Sequence, residues 1–174
     1  MKPLSYIIKV LILIINFSIS TSMAADTDEL VRLANLPTTS PQQLTQLAKH
    51  TQALVRVAVA MNRKTPRPIL DDLAKDPEQD VRIAVCTNLS TSEKTYFTLA
   101  QDASEQVRSV VARFEYVTAA VLATMVNDKS ADVRIEVARN WNTDIPTLKI
   151  LSQDKFEEVS NMALHSLNTR EQSK

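Results

Sequence analysis

The chain of 174 residues contains no glycine, against an average usage of about 7%. That absence removes phosphate-cradling loops, dinucleotide-binding fingerprints and the nucleophile elbow, all of which need a residue without a Cβ. It also disfavours tight β-hairpins, whose turns want positive φ. Cysteine is nearly absent. Cys86 stands alone, so no internal disulfide can form and cluster-binding cysteine sets are excluded. A charge excess is missing too, with 20 basic and 20 acidic residues. That balance gives no electrostatic case for nucleic acid or an anionic membrane surface. What remains is rich in Ala, Leu, Gln, Glu and Lys, a helical composition.

The first 24 residues form a separate object. Lys2 and Lys9 give a positive start, Val10 to Ile19 is almost wholly apolar, and Ser22-Met23-Ala24 offers small residues before a cleavage point. This predicts a secretory signal peptide over 1–24, cut after Ala24. The alternative, a retained anchor, is disfavoured by an apolar run shorter than the ~20 residues that span a bilayer. No cysteine lies near the cut to take a lipid. The expected mature chain carries 18 basic and 20 acidic residues, is periplasmic or secreted, and has no stable membrane insertion.

From there the chain repeats itself. Val-Arg occurs at 55–56, 81–82, 107–108 and 133–134, and Val159-Ser160 continues the 26-residue step. Thr39, Thr65, Thr91, Thr143 and Thr169 keep the same step, with Val117 the exception. Leu47-Ala48, Leu73-Ala74, Leu99-Ala100 and Met125-Val126 form a third series. Three markers in phase define copies at 39–64, 65–90, 91–116, 117–142 and 143–168. Self-similarity at this period predicts stacked two-helix units, an α-solenoid. Residues 25–38 read as an N-terminal capping segment and 169–174 as a frayed charged tail.

Within each copy the first helix places apolar residues at i, i+3 and i+4, as in Leu70, Leu73 and Ala74. Thr65, Thr91 and Thr143, with Ser40, are expected to accept free amides at its start, where Pro41 and Pro66 are also tolerated. Two helices and two turns fill 26 positions tightly, which leaves the first helix open between α and 3₁₀. The second helix buries sets such as Val81, Ala84 and Val85. Asp76-Pro77-Glu78-Gln79, Asp102-Ala103-Ser104-Glu105 and Asp154-Lys155-Phe156-Glu157 resemble capping boxes at its start. Asn62, Asn88 and Asn140 read as left-handed stops at its end. Cys86 fills the slot of Ala60, Ala112 and Ala138 and reads as a small buried thiol.

The blocks Thr65-Pro66…Leu70…Leu73-Ala74…Asp76…Val81-Arg82-Ile83-Ala84-Val85 and Asp128…Val133-Arg134-Ile135-Glu136-Val137-Ala138-Arg139-Asn140 resemble the leucine-rich repeat variant and its relative, the HEAT repeat. The resemblance covers about 39–168. It implies an all-α, right-handed superhelix of the armadillo type that binds proteins, with an Asp–Arg ladder between neighbouring repeats. The ladder residues would be Asp76, Arg82, Asp102, Arg108, Asp128 and Arg134, with Arg56 in the first copy.

Three surface features compete as working sites. The arginines of the ladder can clamp anions or fix stacking register. Residues two and six places after each Val of Val-Arg lie about 200° and 240° from the core direction on a helical wheel. They are Val57, Met61, Ile83, Thr87, Ser109, Arg113, Ile135 and Arg139, with Asn161 and His165 in the last copy. They form either a partner-binding stripe or packing between neighbouring units. Phe114, Tyr116 and Trp141 are either anchors or core filler. His50 and His165, in the first and last copies, assemble no metal or catalytic grouping. The expectation is an exported, non-enzymatic protein-binding module without cofactor or metal, such as a periplasmic adaptor or an inhibitor of the immunity type. The alternative is a structural or assembly factor of the bacterial envelope.

Overall fold

The computed structural model describes residues 26–172. The expected signal segment lies outside the described residues. Among the described residues there are eleven helices and no strand, an all-α chain. Helix α1 covers 26–35. Five pairs follow: α2 (Pro41–Leu47) with α3 (Ala53–Met61), and α4 (Arg67–Leu73) with α5 (Gln79–Cys86). Then come α6 (Glu93–Leu99) with α7 (Glu105–Arg113), α8 (Ala119–Thr124) with α9 (Ala131–Arg139), and α10 (Ile145–Leu151) with α11 (Glu157–Glu171). The second helices pack on one another in sequence, α3 on α5, α5 on α7, α7 on α9 and α9 on α11. Each first helix of the pairs also packs on its own second helix, apart from α8 among the stronger contacts.

The core is made by the residues that recur in register. Leu44, Leu70, Leu122 and Leu148 are fully buried from the first helices, and Tyr96 is buried in the same slot of the third copy. Val55, Val81, Val107, Val133 and Val159 are fully buried from the second. Each such side chain contributes about 1.5–3 kcal/mol relative to exposure. Cys86 is buried in the slot held by Ala60, Ala112 and Ala138 in three other copies, and burial pushes its thiol up to about 12, with Asp102 adding to the effect.

Several local expectations are corrected. The first helices, left open between α and 3₁₀, are α, and bonds of the tighter kind occur at their ends, such as Lys49 N–H to Gln46 O at 3.2 Å. Their N-caps are Ser40, Pro66, Ser92, Thr118 and Asp144. Thr65, Thr91 and Thr143 sit one residue earlier than the caps and act backwards. Their hydroxyls donate to the carbonyls of Val59, Val85 and Val137, closing the preceding helix, as Thr39 does on Leu33. Val117 in that slot is instead fully buried. The capping boxes at the second helices do not form. Those helices start after Glu78, Ser104 and Phe156, none of which caps through its side chain, because the aspartate two residues before is committed elsewhere. No described residue has positive φ. Asn62 and Asn140 are extended, with ψ of 124° and 128°, so asparagine is present for its amide and not for a left-handed stop. Helix α11 runs to Glu171 instead of fraying at Thr169. Arg170 ties it down by donating to the carbonyls of Thr143, Asn140 and Trp141.

Candidate functional site

The start of each second helix carries one construction four times. Arg56 donates through Nε to Asp76 Oδ2 at 2.6 Å and through Nη2 to Oδ1 at 2.8 Å. Arg82 with Asp102, Arg108 with Asp128 and Arg134 with Asp154 repeat that two-point contact. Each pair joins residues 20 apart, so the carboxylate reaches the arginine of the preceding copy. Arg82, Arg108 and Arg134 also donate through Nη1 to the backbone carbonyls of Asp76, Asp102 and Asp128, six residues before each. Each aspartate Oδ1 also accepts the amide two residues on, from Glu78, Ser104, Ser130 and Phe156. This is why it cannot cap the helix.

The pairs are largely buried; Arg108 and Asp128 expose only 4% and 7% of their side chains. Burial alone would raise the carboxyls of Asp76, Asp102 and Asp128. The arginine hydrogen bond, the local amide and the arginine charges outweigh it and hold them below the usual range. For Asp154 the Arg134 bond dominates and acts in the same direction. The arginines are raised by the same bonds. Paired bidentately and buried, these guanidiniums are committed to joining neighbouring copies. His50 holds the aspartate slot of the first copy, where its Nδ1 accepts the Gln52 amide at 3.1 Å. Ser160 holds the arginine slot of the last. His165 lies exposed on α11. Among the described residues no group of three or more His, Cys, Asp or Glu is placed to hold a metal, and no helix is long and apolar enough to cross a membrane.

The far end of the second helices carries a second ladder that the sequence reading passed over. Asn62 Nδ2 donates to the carbonyls of Ala34 at 2.6 Å and Leu36 at 3.1 Å, and its Oδ1 accepts the Lys64 amide. Asn88 does the same to Ala60 and Asn62, and Asn140 to Ala112 and Phe114. The 26-residue spacing of these asparagines was the available signal. Phe114 interrupts the series. The carbonyl of Cys86, which an asparagine there would have bonded, accepts instead from the Tyr96 hydroxyl at 2.9 Å. The Tyr96 and Phe114 rings lie 6.2 Å apart, and Phe114 and Tyr116 5.6 Å apart. In the last copy Ser166 bonds the Ala138 carbonyl, and Arg170 takes that of Asn140.

The expected stripe divides. Val57, Ile83 and Ile135 are half-buried against the core, because the second helices pack side by side and cover that flank. Ser109 is half-buried as well. Met61, Thr87, Arg113 and Arg139 are exposed. Of the aromatic set, Phe114 packs against the core, whereas Tyr116 and Trp141 are 60% and 67% exposed. Arg113, Glu115, Glu136, Arg139 and Trp141 line an open groove of about 440 Å³. Arg139 and Trp141 also border a second groove, of about 290 Å³, against Met162 and His165 of α11. Arg170 lies over the Trp141 ring at 5.3 Å. Arg139 Nη1 donates to Glu136 Oε1 at 2.6 Å, whereas Glu136 Oε2 is buried without a hydrogen-bond partner. No family model and no curated protein matches the sequence.

Proposed function

We propose that the chain is an exported, non-enzymatic protein–protein interaction module, built as an α-solenoid of five two-helix repeats with end caps. It is of the kind found in leucine-rich repeat variant and HEAT proteins. The neighbour-to-neighbour packing of α3, α5, α7, α9 and α11 supports the solenoid, as do bonds that recur at separations of 20, 26 and 28 residues. The working face lies at the ends of the second helices in copies three to five. One observation carries that placement. Trp141 stands 67% exposed beside the exposed Arg113 and Arg139, and Trp and Arg are the side chains most enriched at interface hot spots. Within this reading the chain is an adaptor, or an inhibitor of the immunity type, acting in the periplasm or outside the cell.

The test is capture of partners from the exported fraction by the full chain, with cross-linking and mass spectrometry. The wild type is compared with Arg113→Glu/Arg139→Glu. A partner held by the wild type and lost by the double variant is the expected result. A partner held equally by both would overturn the face. Recovery of an envelope complex through another surface would favour an assembly factor.

A further inference from the structure

We infer that the chain hinges between its second and third copies, opening where the ends of α5 and α7 meet. The inference does not depend on what the chain binds. Three observations carry it. First, the amide rung is missing at this joint. At the joints on either side one asparagine Nδ2 holds two carbonyls of the preceding copy: Asn88 holds Ala60 and Asn62, and Asn140 holds Ala112 and Phe114. Phe114 stands in that slot and offers no amide, and the Tyr96 hydroxyl holds the Cys86 carbonyl alone. The rings of Tyr96, Phe114 and Tyr116 all belong to the third copy, so their contacts do not cross the joint. Second, the turn that leaves α7 lacks its usual ties. Asn62, Asn88 and Asn140 accept the amides of Lys64, Ser90 and Asn142 through Oδ1, and Thr65, Thr91 and Thr143 close the helix before them. Phe114 and Val117 have no side-chain oxygen for either bond. Third, α5 and α7 pack on each other less extensively than the other neighbouring second helices do.

The other sides of the joint are held. At the starts of the second helices Arg82 clasps Asp102 at 2.6 Å, and Gln79 bonds both Gln106 and Ser104. On the first helices Asp71 accepts the hydroxyls of Thr95 and Ser92. A joint tied on two sides and loose at the third turns as a hinge. Copies one and two then swing against copies three to five, which carry the proposed binding face. Cys86 reports the motion. In the last copy, which no copy follows, Leu164 holds the same slot and is 46% exposed, whereas Ala60, Cys86, Ala112 and Ala138 are fully buried. The following copy is therefore what covers the slot, and the Cys86 thiol reaches solvent when the third copy lifts from the second.

The test is the rate at which N-ethylmaleimide labels the native full chain, read by mass spectrometry. The matched chain is Cys86→Ala/Ala112→Cys, which moves the thiol to the same slot at the next joint, where Asn140 makes the full rung. Wild type should be labelled about tenfold faster than this chain, the worth of roughly one buried hydrogen bond. Tyr96→Phe should speed labelling of Cys86 by about tenfold. Asn140→Ala weakens the next joint and should leave the Cys86 rate within about twofold of wild type. Equal rates at the two thiol positions would overturn the inference. So would a Cys86 rate that Tyr96→Phe leaves unchanged. Acceleration by Asn140→Ala as large as that by Tyr96→Phe would assign the exposure to global unfolding and overturn it as well.

Discussion

The two ends of the second helices solve the same problem differently. Both must join each copy to the next. At the starts, four Arg–Asp pairs repeat with Nε–Oδ2 distances of 2.6 or 2.7 Å. At the ends, the joining group changes along the chain: an asparagine amide, a second amide, the Tyr96 hydroxyl, a third amide, then Ser166 with Arg170. At the uniform edge the arginines and aspartates themselves are all committed to stacking. The varied edge is where Tyr116 and Trp141 emerge and where two grooves lie; a further groove, of about 500 Å³, lies at the uniform edge beside Arg134, Asp154 and the exposed Phe156. Departure from the pattern, more than the pattern, leaves exposed side chains uncommitted to the joins between copies, and the proposed binding face rests on these.

Acid should have the largest effect, because it reaches all four pairs of the uniform edge together. Their carboxyls are held low in the folded state, so the stability they contribute is complete above the unfolded carboxyl range near about pH 4. It is lost as pH falls through the lowered folded values. Urea midpoints measured against pH should be flat from neutrality to that range and fall below it. Next is Arg108→Ala, which leaves the buried Asp128 carboxylate without its partner and should cost about 3–5 kcal/mol by denaturation.

Asn140→Ala orphans the Ala112 and Phe114 carbonyls and should cost about 2–3 kcal/mol. At the irregular rung, Tyr96→Phe should cost about 1–2 kcal/mol by orphaning the Cys86 carbonyl. The pair Tyr96→Leu/Phe114→Asn rebuilds the amide rung and should recover most of the cost of Tyr96→Leu alone, a coupling read from the double-mutant cycle. Failure to recover would mean that the aromatic rung is more than a substitute. Trp141→Ala should move the thermal midpoint least, by the equivalent of about 0.5 kcal/mol or less, while weakening capture of the partner.

Much of the helical layout was legible because the markers recur. The core positions of both helices could be read from i, i+3, i+4 spacing alone. The Arg–Asp ladder was legible as a set of residues but not as pairs. The resemblance implies a ladder between neighbouring repeats, but the partner of each arginine, an aspartate 20 residues on, comes only from the packing of successive second helices. The threonines and asparagines misled for a related reason. Thr65 and Asn62 have strong local habits, N-cap and left-handed stop, yet Thr65 turns back on the Val59 carbonyl of the preceding helix, and Asn62 uses its amide on the Ala34 carbonyl that packing brings near. Local propensity gives way when a neighbouring copy offers a better partner. The stripe was half legible. A helical wheel places Ile83 and Arg113 outside the core, but only the side-by-side packing of α3, α5, α7 and α9 decides that the first is covered and the second is not. The sequence leaves Trp141 between anchor and core filler, and only the fold decides that it is exposed.

The most direct measurement is hydrogen–deuterium exchange of the full chain, alone and with its captured partner. If the varied edge is the binding surface, added protection falls on residues 113–116 and 139–142, while 76–82 and 102–108 at the uniform edge are unchanged. Protection concentrated at the Arg–Asp edge, with 139–142 unaffected, would contradict the division of the molecule into an edge that stacks and an edge that binds.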